Sequence, residues 1–129
     1  MVIDTSAVLA ILQDESERGR FTTAIAEAAR SLMSAATLLE AAIVVETRYG
    51  LEGGRYLDLL LERADVEITP VDEPQVRVAR EAYRRFGKGR HPAALNYGDC
   101  FAYALAKVQG QRLLFTGANF ARTDVVPAD

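Results

Sequence analysis

The chain has 129 residues, about 50% of them hydrophobic, which suffices for one buried core and supports reading residues 1–129 as a single domain. A formal net charge of -3 gives no overall basic field, so contact with nucleic acid would have to come from a local patch. The single cysteine, Cys100, excludes an internal disulfide framework and fits a reducing compartment. Met1-Val2-Ile3 leads into Asp4 without a basic leader, and no apolar run approaches a membrane span. A cytoplasmic protein with no membrane association is expected.

In chain order, Met1-Val2-Ile3 reads as a short buried strand ending at Asp4, with Thr5 or Ser6 capping a helix over Ala7–Leu12. A charged turn at 14–18 precedes a second helix with Phe21, Ile25 and Ala28 on one face, and Ser31–Ser34 is the next strand. An Ala-rich helix from Ala36 to Tyr49 follows. Gly50, Gly53 and Gly54 mark a break before a further helical pattern through Leu57, Leu60 and Leu61. Val66–Thr69 alternates as a strand. Asp72-Glu73-Pro74-Gln75 has the form of a helix N-terminus, with Val76, Ala79 and Tyr83 at helical spacing behind it. A Gly-, Lys- and Arg-rich loop occupies 86–92. Asn96-Tyr97-Gly98-Asp99 is a second capping pattern, opening a helix that Gly110 ends. Arg112–Phe115 reads as a strand and Asp124–Val126 as a short edge strand. Short apolar strands alternating with helices imply a three-layer α/β/α fold around a central, mostly parallel sheet of four to five strands.

Ligands of open α/β folds bind beyond the carboxyl ends of the parallel strands, and Asp4 stands there. Glu40 shares a mostly apolar helix face with Ile43 and Val44, a place where a carboxylate needs a partner. Asp99 lies in the first turn of its helix, where the dipole favours an anion. Each has a plain structural alternative: Asp4 as a helix cap, Glu40 in a capping box with Thr37, Asp99 in a cap with Asn96. Taken together, hard oxygen donors without a His or Cys cluster suit Mg²⁺ or Mn²⁺, ions that orient a phosphodiester, neutralise its charge and activate water.

Val2-Ile3-Asp4-Thr5-Ser6-Ala7, Leu39-Glu40, Leu95-Asn96-Tyr97-Gly98-Asp99-Cys100 and Leu113-Leu114-Phe115-Thr116-Gly117 with Phe120 resemble, in order and across the whole chain, the PIN-domain ribonucleases that act as VapC toxins. The resemblance implies a PIN-like fold and a catalytic acidic site at Asp4, Glu40 and Asp99. Mg²⁺ or Mn²⁺ would be held by Asp4 and Asp99, with Glu40 and Asn119 as further ligands, and Thr5 and Ser6 would orient the first acid or a metal-bound water. It also implies RNA cleavage leaving 5′-phosphate and 3′-hydroxyl ends, a homodimer, and silencing by a VapB-type antitoxin on a groove lined from Leu9 to Ile25 and from Ile43 to Tyr49. One position departs from the pattern: family members commonly carry a further acid where this chain has Asn119, which brings no charge to a second metal.

Arg84, Arg85, Lys88 and Arg90 concentrate positive charge just ahead of the Asp99 segment and are the candidate RNA contacts, against the plainer reading of a solvated helix end. His91 reads as a packing residue of that loop. Two other functions compete. One is a catalytically weakened RNA- or partner-binding module of the same fold, suggested by Asn119. The other is a phosphatase using Asp4 as nucleophile, disfavoured because Ser6 stands where a second Asp is wanted.

Overall fold

The computed structural model describes residues 1–129 and contains four parallel strands: β1 (Val2–Ile3), β2 (Ser31–Ser34), β3 (Val66–Thr69) and β4 (Leu113–Leu114). Their order is β3-β2-β1-β4, with Val2 opposite both Leu32 and Leu113, and Ser31 to Ser34 opposite Val66 to Thr69. Five helices surround them: α1 (Thr5–Leu12), α2 (Arg18–Glu27), α3 (Ala35–Arg63), α4 (Glu73–Phe86) and α5 (Tyr97–Gln109).

Successive strand residues point to opposite faces, and the core divides accordingly. Val2, Leu32 and Leu113 pack with Phe86, Leu95, Tyr103, Leu105 and Phe120, the layer of α4 and α5. Ile3, Met33 and Leu114 pack with Val8, Ile11, Phe21, Val45 and Leu57, the layer of α1, α2 and α3. Both faces of the sheet are covered at its centre, where β1 and β4 are wholly apolar, whereas the edge strand β3 alternates and is partly exposed. No helix is long and apolar enough to cross a membrane.

Local chemistry sets the boundaries. Asp72 caps α4 by accepting the Gln75 N–H at 3.1 Å, and Pro sits in the first turn, where its missing N–H costs nothing. Gly110 ends α5 in the left-handed conformation at φ 62°, which only glycine adopts freely. At Gly50 (φ 70°, ψ -164°) α3 breaks into two arms. They fold back so closely that a Cβ on Gly53 would lie 2.7 Å from the Val45 carbonyl oxygen.

Two expectations are corrected. The first helix starts at Thr5, with Asp4 itself, in extended backbone, as the N-cap in place of Thr5 or Ser6. The 124–126 segment is not a strand. It pairs with the sheet at a single bridge between Leu113 and Pro127, the Leu113 N–H donating to the Val126 carbonyl at 2.9 Å and the Ala128 N–H to the Leu113 carbonyl at 2.9 Å. The sheet accordingly has four strands.

Candidate active site

All four strands are parallel, so their carboxyl ends open on one side. The strand order reverses direction between β1 and β4, where an open α/β sheet leaves a crevice. Asp4 stands there, directly after β1 and only 4% exposed. Its backbone N–H donates to the Leu114 carbonyl at 3.0 Å, which fixes its place at the mouth of the sheet. Glu40 comes from the second turn of α3, the helix that follows β2, and Asp99 is the third residue of α5.

Each carboxylate is held by a neighbour. The Ser6 hydroxyl donates to Oδ2 of Asp4 at 2.7 Å and the Ser6 N–H to the same oxygen at 3.0 Å. The Ser6 hydroxyl in turn accepts the Thr116 N–H at 3.0 Å, tying the end of β4 to the first acid. The Thr5 hydroxyl donates to Oε1 of Glu40 at 2.6 Å. Asp99 and Asn96 form a reciprocal capping box: the Asn96 N–H donates to Oδ2 of Asp99 at 3.0 Å, and the Asp99 N–H to Oδ1 of Asn96 at 2.9 Å. The helix caps proposed for Asp4 and Asp99 are thus present, and they leave both acids at the mouth. The capping box between Thr37 and Glu40 does not form. Thr37 is buried with its hydroxyl unpartnered, Ser34 caps α3, and Glu40 reaches across to Thr5.

Sequence reasoning overlooked Gly98. A Cβ built there would lie 1.9 Å from Oε2 of Glu40 and 2.7 Å from its Cδ. The missing side chain is what lets α3 deliver Glu40 against the N-terminus of α5, one residue from Asp99. A glycine inside the first turn of an otherwise good helix former costs stability, and that cost was the available signal.

The three acids sense one another. Burial, above all, raises the pKa of Asp4 to about 6. The Ser6 hydrogen bonds oppose this, and the charges of Asp99 and Glu40 add to it. Burial also raises the pKa of Asp99, against the Asn96 N–H and with the charge of Glu40. The carboxylates are within electrostatic reach but are not gathered into a closed ligand cluster. A buried acid with two acidic neighbours and only hydroxyls and N–H groups as partners is a donor set that a hard divalent cation would relieve.

The remaining candidates separate. Asn119 is exposed and precedes the short turn Phe120–Arg122, its side chain making no capping bond. Asp124 is committed elsewhere, accepting from the Tyr103 hydroxyl at 2.6 Å and from Lys107 Nζ at 3.0 Å. Arg85 joins that cluster 3.7 Å from Asp124, over the ring of Phe86. Arg84, Lys88 and Arg90 are exposed and unpaired by any carboxylate, and Arg90 lies over the ring of Tyr83. His91 accepts the Ala93 N–H on Nδ1 at 3.0 Å and packs edge-on against Phe86, a structural role.

Acids from the end of β1, from α3 and from α5 thus lie at the mouth of a parallel α/β sheet, within electrostatic reach of one another. The family model for the PIN domain matches residues 1–126. Ribonuclease VapC of Mycolicibacterium smegmatis is 58% identical over 125 residues, covering 97% of both chains. Ribonuclease VapC30 of Mycobacterium tuberculosis is 54% identical, covering 97% of this chain and 95% of that one. Two solved structures share the fold at low identity. Mycobacterium tuberculosis VapC20, described as a Sarcin-Ricin loop cleaving toxin, has TM-score 0.77 at 16% identity, covering 97% of this chain and 95% of that one. VapBC2 from Rickettsia felis bound to a promoter DNA fragment has TM-score 0.77 at 14% identity, covering 98% and 94%. The chain belongs to the PIN-domain family, among the VapC ribonucleases.

Proposed function

We propose that this chain is a divalent-metal-dependent endoribonuclease, the toxin of a VapBC-like pair, with Asp4, Glu40 and Asp99 as its catalytic acids. The observation that carries this is the meeting of three carboxylates from separate elements at the sheet mouth, each held by a neighbouring hydroxyl or N–H. Asp4 and Asp99 would hold Mg²⁺ or Mn²⁺, with Glu40 beside them and Asn119 as a neutral fourth corner. When bound, such an ion supplies positive charge to the phosphodiester and Lewis acidity. The chain's own part is placement. Ser6 orients Asp4 and couples it to β4, Thr5 fixes one oxygen of Glu40, and Asn96 fixes Asp99. The N-termini of α1 and α5 turn their partial positive charge towards the same mouth, where charge builds up on the phosphate. Arg84, Lys88 and Arg90 would hold the RNA backbone.

The partner reading is a VapB-type antitoxin. It is supported by an apolar groove of about 680 Å³ between α1 and the two arms of α3, lined by Ile11, Leu12, Val45, Tyr49, Tyr56 and Leu60. The second arm, with Leu51 and Tyr56 exposed, extends the groove beyond the early helices expected from the sequence. A homodimer and a cytoplasmic location complete the proposal.

The test is cleavage of structured RNA by antitoxin-free protein with Mg²⁺, Mn²⁺ or EDTA. Cleavage is expected with either ion and not with EDTA. Equal cleavage in EDTA refutes the metal dependence, and no cleavage with either ion refutes the nuclease.

A further inference from the structure

The loop between α4 and α5 carries Lys88 and Arg90, both exposed, and Gly89, at φ 83°, turns its backbone through the left-handed region. Most of its hydrogen bonds are its own. The Lys88 N–H donates to the Leu95 carbonyl, and the Arg90 and His91 N–H groups donate to the Gly87 carbonyl. The Gly87 and Leu95 N–H groups donate to the Tyr83 and Phe86 carbonyls at the end of α4. A single hydrogen bond joins residues 87–95 to a distant part of the chain: Nη1 of Arg122 donates to the Pro92 carbonyl at 3.1 Å. The segment that carries Arg122 is itself fixed at both ends. Before it, the Thr116 N–H is bound to Ser6, which holds Asp4, and the Arg122 N–H donates to the Asn119 carbonyl at 3.1 Å. After it, Asp124 accepts from Tyr103 and Lys107 of α5. Between them, Phe120 is buried in the same cluster as Ala93 and Leu95.

A cation on a loose loop binds phosphate weakly, because the loop must be ordered as the phosphate arrives. Holding the loop beforehand removes that cost. We propose that Arg122 is a positioning residue for RNA binding: its guanidinium ties the basic loop to the segment bearing Asn119, so that Lys88 and Arg90 keep one place relative to the acids. A charged donor makes this bond stronger than a neutral one would. Its acceptor is a main-chain carbonyl, so it fixes the backbone of the loop and not one side chain alone. The inference rests on the ribonuclease reading of Asp4, Glu40 and Asp99, with Lys88 and Arg90 as contacts to the RNA backbone. It adds a residue that lies outside the basic run of the sequence.

Binding of a fluorescein-labelled, mixed-sequence single-stranded RNA dodecamer is measured by anisotropy on the full chain carrying Glu40→Gln, to prevent turnover. In that background Arg122→Ala is expected to weaken binding about fivefold, the worth of one hydrogen bond. It should add nothing to the loss already caused by Lys88→Ala with Arg90→Ala, since it acts through those two side chains. Hydrogen exchange of the RNA-free chain, read by mass spectrometry, should quicken over residues 87–95 in Arg122→Ala and stay unchanged in the strands. Arg122→Lys keeps a long charged donor and should return both affinity and exchange to within about twofold of the parent. A loss that multiplies with that of Lys88→Ala and Arg90→Ala overturns the inference, because the guanidinium then holds phosphate itself. Weaker binding at unchanged loop exchange overturns it as well. Unchanged affinity in Arg122→Ala, whether or not the loop exchanges faster, leaves Arg122 a purely structural tie and also overturns it. In each of these cases a wild type that cleaves RNA with Mn²⁺ keeps the ribonuclease reading standing. A wild type that neither binds nor cleaves RNA removes both.

Discussion

Replacing Gly98 by alanine would put a Cβ 1.9 Å from Oε2 of Glu40, so the carboxylate must retreat by about 1.5 Å to reach the 3.4 Å of ordinary contact. The atoms that move are the far end of a flexible side chain, so the backbone need not shift. Alanine also gains up to about 1 kcal/mol of helix propensity over glycine. Against this stands the hydrogen bond from Thr5 to Glu40, net about 1 kcal/mol, which the displaced carboxylate gives up. Stability should therefore change by less than about 1 kcal/mol. Activity should not be spared, because misplacing a catalytic group by about 1 Å costs on the order of 100-fold in rate. Single-turnover cleavage of RNA with Mn²⁺, beside a thermal melt without it, measures both. A double-mutant cycle adds the mechanism: on a Glu40→Gln background, Gly98→Ala should cost little further activity, since both changes act through one carboxylate. A Gly98→Ala enzyme within about threefold of wild type would refute the reasoning. So would a loss that simply multiplies with that of Glu40→Gln.

The buried Asp4 predicts an inverted stability profile. Its folded pKa, raised to about 6 from 3.8, makes protonation favour the metal-free folded state. That contribution is fully present below about pH 4 and lost as pH rises through 6. Its full size is about 3 kcal/mol, so Asp4→Asn should melt higher than wild type in EDTA at pH 7.5 and about equal to it at pH 4. A lower melt at pH 7.5 would mean that Asp4 serves mainly as the helix cap. Replacing Arg84, Lys88 and Arg90 together by Ala should reduce the salt slope of RNA binding by up to about 2. Arg85→Ala, whose guanidinium is 3.7 Å from Asp124, should leave that slope unmoved. An equal effect of Arg85→Ala would show that the ion pair opens to hold phosphate. Asn119→Asp adds a charge at the neutral corner and should lower the Mn²⁺ concentration for half-maximal cleavage. Asp124→Asn should not change it, because Asp124 is held by Tyr103 and Lys107. The reverse pattern would move the fourth corner to Asp124.

Much of this protein is local, and local features are legible in a sequence. The short apolar strands, the helix periodicity, the capping pairs Asp72–Gln75 and Asn96–Asp99, and the glycine breaks at 50 and 110 depend on neighbours within about four residues, and they stand where the pattern put them. The three candidate acids were legible for a related reason: each follows a strand or opens a helix, and in a parallel sheet those positions share one end. What the tertiary structure decided is who partners whom. Glu40 could as well have closed a box with Thr37 as reached 35 positions back to Thr5. Helical spacing does not choose between these, and the close passage of α5 at Gly98 does. Neighbouring arginines at 84 and 85 read alike in the sequence, yet one borders a groove and the other meets Asp124 from the chain's far end. The edge segment pairs with β4 only at the Leu113–Pro127 bridge, and Asp124, though near Asn119 in sequence, was drawn to α5. Backbone preferences are settled within a turn or two, while the pairing of charges depends on which elements the two faces of the sheet bring together.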